Sequence, residues 1–326
     1  MRSMLLLCLF TACATDPPGG GDTGTAGAGP YFERPMFFNE DVSGAPKAAN
    51  SDQIIAAIRA AGGWGNQDNL RIDFSMDVLR SDSSATLQMF TPTDEFQIPD
   101  CDHMPVPVPQ SGNVEGETGY RCSQNGDCHL IVFDPADDRL YEMWRANIAS
   151  TFTGGCLAVW ETAREYDATL RGDQCTSADA AGFPIAPLLF TADEVASGSI
   201  DHAIRFILPN DRVTQGFVRP ATHGAYTSGS PGIGLPYYGF HLRLRADYPV
   251  ETLTSTGAQV VARALQKYGM YHADGGEDTL TAQSDRYTIA KWDDLLGPRD
   301  LGPLQIEDFE VIDHGDMIPL TNDCQR

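Results

Sequence analysis

Basic residues are scarce in this chain. Its 326 residues include 22 Lys and Arg against 45 Asp and Glu, a formal net charge of −23. Phosphate contacts need clustered cations, so the shortage argues against a nucleic-acid partner. It argues equally against charge-driven docking on an anionic membrane. Long apolar runs are also missing: Met4 to Phe10 is too short to span a bilayer. The chain has no P-loop, no H-E-x-x-H and no G-x-S-x-G. No C-x-x-C pair is present, which argues against structural zinc, and no cofactor is expected. What is present is enough apolar material, 42% of residues, for a sizeable core.

The N-terminus reads as an export signal. Arg2 precedes the apolar run, and Thr11 and Ala12 are small residues just before Cys13. This resembles the lipobox of bacterial lipoproteins, with Phe10 in place of the commoner Leu. The Gly, Pro and Thr-rich stretch 14–30 is the tether such a protein needs. The organisation expected is a signal peptide over 1–12, a lipidated Cys13 with its linker over 13–30, and a domain over 31–326. The resemblance, with Ala14 after the cysteine, implies an outer-membrane lipoprotein or a secreted protein. The membrane is then touched only through lipid, and the domain is expected to be monomeric.

Six cysteines remain in the domain, an even number that reads as three disulfides in an exported chain. Cys122 and Cys128 flank a turn sequence and pair first. Cys156 with Cys175 would close a loop, leaving Cys101 with Cys324, though six cysteines allow fifteen pairings.

The body patterns as mainly β, expected as a single β-sandwich or jelly-roll-like domain with a few peripheral helices. Residues 70–78 alternate, with Leu70, Ile72, Phe74, Met76 and Val78 on one side and Arg71, Asp73, Ser75 and Asp77 on the other. Further strands are expected at 85–90, 128–134, 139–146, 156–162, 201–208, 238–246 and 306–312. Helices are expected over 50–63, with Ser51 as cap, over 192–197 with a Thr191/Glu194 capping box, and over 256–268 before Gly269. Residues 104–109 read as an extended Pro-rich loop, and 272–278 as an acidic hairpin turn.

Strand alternation nominates side chains for chemistry. Leu140, Glu142 and Trp144 share one face, which suits a sugar site in which Trp144 stacks and Glu142 moves a proton. The plainer use is an edge ion pair beside a core tryptophan. Asp179 lies among small residues in Thr176–Pro187 and would be a second carboxylate, or simply a turn aspartate. Arg205 and Arg243 stand out in an acidic chain and would grip a carboxylate or sulfate, or pair with surface acids. Arg243 and Arg245 share one strand face, and with Arg205 they would form a cationic floor. His202 reads as a core histidine. His223, with Tyr226 nearby, sits in a Gly/Ser-rich loop suited to acid–base work.

Taken in order, Asn50–Ile55, Leu140–Met143, the Thr-Ser-Ala-Asp-Ala-Ala-Gly-x-Pro-Ile-x-Pro motif at 176–187, Asp193–Phe206, Ala221–Ala225, Arg243–Arg245 and Lys267–Gly276 resemble a family of secreted bacterial β-rich proteins. The resemblance spans about residues 36–313. It raises Glu142, Asp179, Arg205, His223, Arg243 and Asp274 as site residues without assigning roles. The expectation is an extracellular carbohydrate-active enzyme that cleaves glycosidic bonds of a polysaccharide. Glu142, Asp179 and His223 would be catalytic, and Trp144, Arg205, Arg243 and Asp274 would bind substrate. The alternatives are a polysaccharide lyase, with Arg205 and Arg243 neutralising a uronate while His223 and Tyr226 or Tyr141 move protons, and a non-catalytic glycan-binding envelope lipoprotein.

Overall fold

The computed structural model describes residues 31–326 apart from 97, 226, 228 and 230–233. The signal, Cys13, the tether and Tyr226 lie outside the described residues. The first strands in chain order are β1 Ile72–Met76, β2 Val78–Arg80, β3 Thr86–Gln88, β4 Thr91–Pro92 and β5 Val106–Val108. β6 Leu130–Asp134, β7 Arg139–Trp144, β8 Asn147–Ile148, β9 Phe152–Gly154 and β10 Cys156–Glu161 follow. The last are β11 Ile204–Leu208, β12 His241–Leu244, β13 Met270–Gly275, β14 Leu280–Gln283 and β15 Phe309–Val311.

The fold is mainly β, as the alternation predicts. A six-stranded sheet runs β1-β14-β11-β13-β12-β15 and a four-stranded sheet runs β10-β7-β6-β2. Both are mixed: β1 with β14, β11 with β13 and β2 with β6 are parallel pairs. The alternating run 70–78 divides between them. β1 joins the first sheet and β2 the second, and the chain crosses at the buried Asp77, which accepts hydrogen bonds from Ser284 and Asn113. β7 is covered on both faces. Leu140 and Glu142 face the large core, while Tyr141 and Met143 face a smaller one closed by Val106 and Val108 of β5.

Two loop expectations are corrected. The Pro-rich stretch contains β5, which pairs antiparallel with β3; Pro107 is tolerated because a two-stranded ribbon needs few ladder donors. The acidic segment after His272 does not turn a hairpin, because β11 lies between β13 and β14 and the turn must cross over it.

The helices follow their local signals. Ile54, Ile55 and Ile58 bury one face of Ser51–Ala60. Ser51 is its first residue rather than its cap, and its hydroxyl accepts the Val311 N–H at 2.8 Å instead. Thr191 and Glu194 make the reciprocal capping box of Ala192–Ser197. Thr256–Lys267 is capped by Ser255, and Gly269 at φ +69° ends it.

Of the disulfides, Cys122–Cys128 forms as expected, but the other two are Cys101–Cys156 and Cys175–Cys324. Backbone pairing decides this. Asp102 donates to the Leu157 carbonyl at 2.7 Å, which lays Cys101 beside Cys156. Gln325 donates to the Asp173 carbonyl at 2.8 Å, which lays Cys324 beside Cys175. Three disulfides fit an oxidising extracellular or envelope environment. No helix among the described residues is long and apolar enough to cross a membrane.

Candidate active site

An open cleft of about 950 Å³ lies over one face of the six-stranded sheet. The polar face of the alternating run 70–78 supplies part of its wall through Arg71 and Asp73. On β11, Ile204, Phe206 and Leu208 are buried in the core, so Arg205 and Ile207 turn to the cleft. Asp73 is paired in register with Thr281, and Thr281 accepts a hydrogen bond from Arg205 Nη1 at 2.8 Å.

A register shift delivers Asp274. Phe206 of β11 is opposite His272 of β13, but Ile207 is opposite Asp274, so Ala273 is an extra residue. Without it, alternation would turn Asp274 toward the core side, as His272 is. Bulges re-aim side chains in this way beside active sites. The bulged Ala273 carbonyl is not idle: it accepts the Ala181 N–H at 2.9 Å and ties the 176–187 motif to β13.

That motif is held by its backbone. Gly182 at φ +80° brings the chain so close to Thr222 that a Cβ would meet the Thr222 hydroxyl. Ser177 Oγ accepts the Asp179 N–H at 2.9 Å and donates to the Phe183 carbonyl at 2.6 Å. Asp179 is thereby presented to Arg205. The pair is bidentate, Nε to Oδ2 at 3.0 Å and Nη2 to Oδ1 at 2.8 Å, and both side chains are buried. Arg205 Nη2 also lies 3.7 Å from Asp274 Oδ2. Burial, reinforced by the Asp179 charge and opposed by Arg205, pushes the Asp274 carboxyl up to about 7. It remains partly open to the cleft, with its side chain 31% exposed.

Two residues that the sequence did not flag complete the floor. His129 Nδ1 lies 2.7 Å from Glu115 Oε2 and Nε2 lies 3.2 Å from the Ala178 carbonyl. Both partners are acceptors, so both ring nitrogens carry protons and the ring is an imidazolium. Burial pushes His129 down, but the Glu115 charge and hydrogen bond outweigh it and hold it at about 9. Glu115 is held below its ordinary value: His129 overcomes the burial that would raise it. His129, second in the run 128–134, was a weak signal for this pair; Glu115, in a Gly-rich loop, left none.

The nominated residues divide. Asp179, Arg205, His223, Trp144 and Asp274 all line the cleft. His223 Nδ1 donates to the Ala180 carbonyl at 2.9 Å, and burial lowers its pKa, so the ring is neutral. Trp144 Nε1 donates to Asp127 at 2.7 Å, with Phe96 edge-on at 6.0 Å.

Glu142 and Arg243 do not join the cleft lining. Glu142 is fully buried and accepts the amides of Ile185 at 2.8 Å and Ala186 at 2.7 Å, and Trp160 Nε1 at 3.0 Å. Burial raises its carboxyl to about 7 against these donors. It clamps the far end of the 176–187 motif. Arg243 is held by Glu310 at 2.6 and 3.0 Å and by the Ala45 carbonyl at 3.0 Å. Arg245 is exposed and paired with Asp247. The expected cationic floor of Arg205, Arg243 and Arg245 therefore does not assemble. His202 is the satisfied core histidine expected, between the Ala203 carbonyl and Glu194.

The cleft is instead acidic. Asp73, Glu115, Asp127, Asp179, Asp274, Glu277 and Asp278 line it, against Arg71 and Arg205 and the His129 imidazolium. The arrangement can hold a proton at Asp274 near neutral pH, present further carboxylates beside it, and repel an anionic ligand. No family model, curated protein or solved structure matches the chain.

Proposed function

We propose that the protein is an extracellular carbohydrate-active enzyme that hydrolyses glycosidic bonds of a neutral polysaccharide, anchored to the envelope through Cys13. The observation that carries this reading is Asp274, turned into an open cleft by a bulge and raised to about 7. A carboxylic acid that keeps its proton near neutral pH is what protonation of a leaving glycosidic oxygen requires. Asp73 also lines the cleft, but it stands on β1, with β14 and β11 between it and β13. Three strand spacings of about 4.8 Å set the two backbones roughly 14 Å apart, more than the roughly 6.5–9.5 Å of an inverting carboxyl pair, so Asp73 is not the partner of Asp274 in such a pair.

The roles given to the nominated residues shift accordingly. Asp179 holds Arg205 rather than reacting, His223 borders the cleft as a neutral ring, and Glu142 positions the motif. The lyase alternative is weaker, because it needs a guanidinium free to meet a uronate. Arg205 is committed to Asp179 and Thr281, and Arg243 is committed to Glu310.

The test is product formation from a panel of neutral and uronic polysaccharides. Reducing ends released from a neutral polymer, and lost in Asp274→Asn, support the reading. An unsaturated, ultraviolet-absorbing product from a uronate polymer would establish the lyase instead. Binding with no product from any polymer would leave a glycan-binding lipoprotein.

A further inference from the structure

We infer that Gln67 is a substrate-contacting residue of this cleft, its side-chain amide hydrogen-bonding hydroxyl groups of a neutral sugar. The inference rests on the glycan reading above and names a residue that binds the ligand.

The starting point is a left-handed turn at the cleft wall. Asn66 (φ 52°, ψ 48°), Gln67 (φ 63°, ψ 44°) and Asp68 (φ 60°) follow one another in the left-handed region. L-residues avoid it because Cβ crowds the neighbouring carbonyl; Asn and Asp tolerate it best. Asn66 and Asp68 also have local partners that hold them there. The Asn66 N–H donates to Glu277 Oε2 at 2.9 Å and its side chain to Asp278 Oδ1 at 2.8 Å. Asp68 accepts the Trp64 N–H at 3.0 Å and pairs with Arg59.

Gln67 has no such reason. It is not a residue type suited to the turn, and its side chain makes no hydrogen bond or ion pair among the described residues. It is exposed, and it lines the same cleft as Asp274. A turn needed only for the fold would be made more cheaply by glycine. Backbone strain retained at a residue that presents its side chain to a cleft is characteristic of ligand clamps. The anchors Glu277 and Asp278 follow Asp274 closely in the chain, so they fix the Gln67 backbone relative to the proposed acid. A primary amide offers a donor and an acceptor without charge, the complement of paired sugar hydroxyls.

The test measures calorimetric binding and thermal stability of Asp274→Asn protein, with and without Gln67→Gly or Gln67→Ala. The probes are neutral hexasaccharides of glucan, xylan, mannan and arabinan, with a hexagalacturonide as the charged arm. Gln67→Gly is expected to raise Tm, because strain is relieved, while weakening neutral-hexasaccharide binding about tenfold. Gln67→Ala should weaken binding equally without the rise in Tm. If Asp274→Asn binds a neutral hexasaccharide and both Gln67 variants bind it as tightly, this inference alone is overturned. If Asp274→Asn binds none, or only the galacturonide, the glycan reading and this inference fall together.

Discussion

Asp179 and Arg205 are locked oxygen-to-nitrogen at 2.8 and 3.0 Å beneath the cleft, with the carboxylate wholly buried. The pair makes Arg205 a fixed charge beside Asp274 and leaves Asp179 no oxygen free of the guanidinium. Removing one partner leaves the other charged and buried, which costs about 3–5 kcal/mol. Asp179→Asn and Arg205→Met should each lower stability by that order in chemical denaturation. The double variant should lose less than the sum of the two. A stable Asp179→Asn protein with abolished turnover would instead return Asp179 to a catalytic role.

Glu142 should behave as a structural clamp. In Glu142→Gln one amide oxygen remains to meet the Ile185 and Ala186 amides, and the other position becomes a donor facing donors. A loss of about 1–3 kcal/mol is expected, with turnover per folded molecule little changed. Near-normal stability with turnover down a hundredfold or more would place Glu142 in the chemistry.

Turnover should report the Asp274 proton. With its carboxyl raised to about 7, kcat/KM on a neutral glycan should fall as pH rises through that value. Asp274→Asn should lower kcat by about 10²–10⁴ with Tm maintained. An alkaline limb unchanged in a residually active Asp274→Asn protein would exclude Asp274 as the donor.

Stability should decline in two stages as pH rises from the acid range. Groups raised in the folded state stabilise most below their unfolded values and lose that contribution as pH rises through the folded ones. Asp274 rises from 3.8 to about 7 and Glu142 from 4.5 to about 7, so their losses fall across the acid-to-neutral range. His129 rises from 6.5 to about 9, so its loss lies between those values. Denaturation midpoints against pH should show this, and His129→Gln should flatten the segment above pH 6.5 alone. Glu115 acts oppositely, losing stability as pH falls through its lowered value. A segment above neutrality that is as steep in His129→Gln as in the parent would refute the Glu115–His129 ion pair.

The local elements were legible because their signals are local. The Thr191/Glu194 box, the Ile54–Ile55–Ile58 face and Gly269 each act within a few residues. So does the Cys122–Cys128 loop, whose ends are six residues apart. The small residues of 176–187 permit a close backbone approach, seen where Gly182 meets Thr222. Strand period also placed Arg205 and Trp144 on faces that reach the cleft.

Period fixes a face but not what covers it. Glu142 and Trp144 share a face of β7, yet one lies under the Ile185–Ala186 amides and the other lines the cleft at the strand end. Arg205 and Arg243 looked alike in an acidic chain, and their sheet neighbours separated them: Asp179 and Thr281 for one, Glu310 for the other. Alternation, helical period, caps and loop composition together determined a mainly β chain, its few helices and its candidate residues. Only the tertiary structure decided the two long-range disulfides, the Glu115–His129 pair and the aim of Asp274. These depend on which distant strands pair and on one extra residue at Ala273, and neither leaves a periodic trace along the chain.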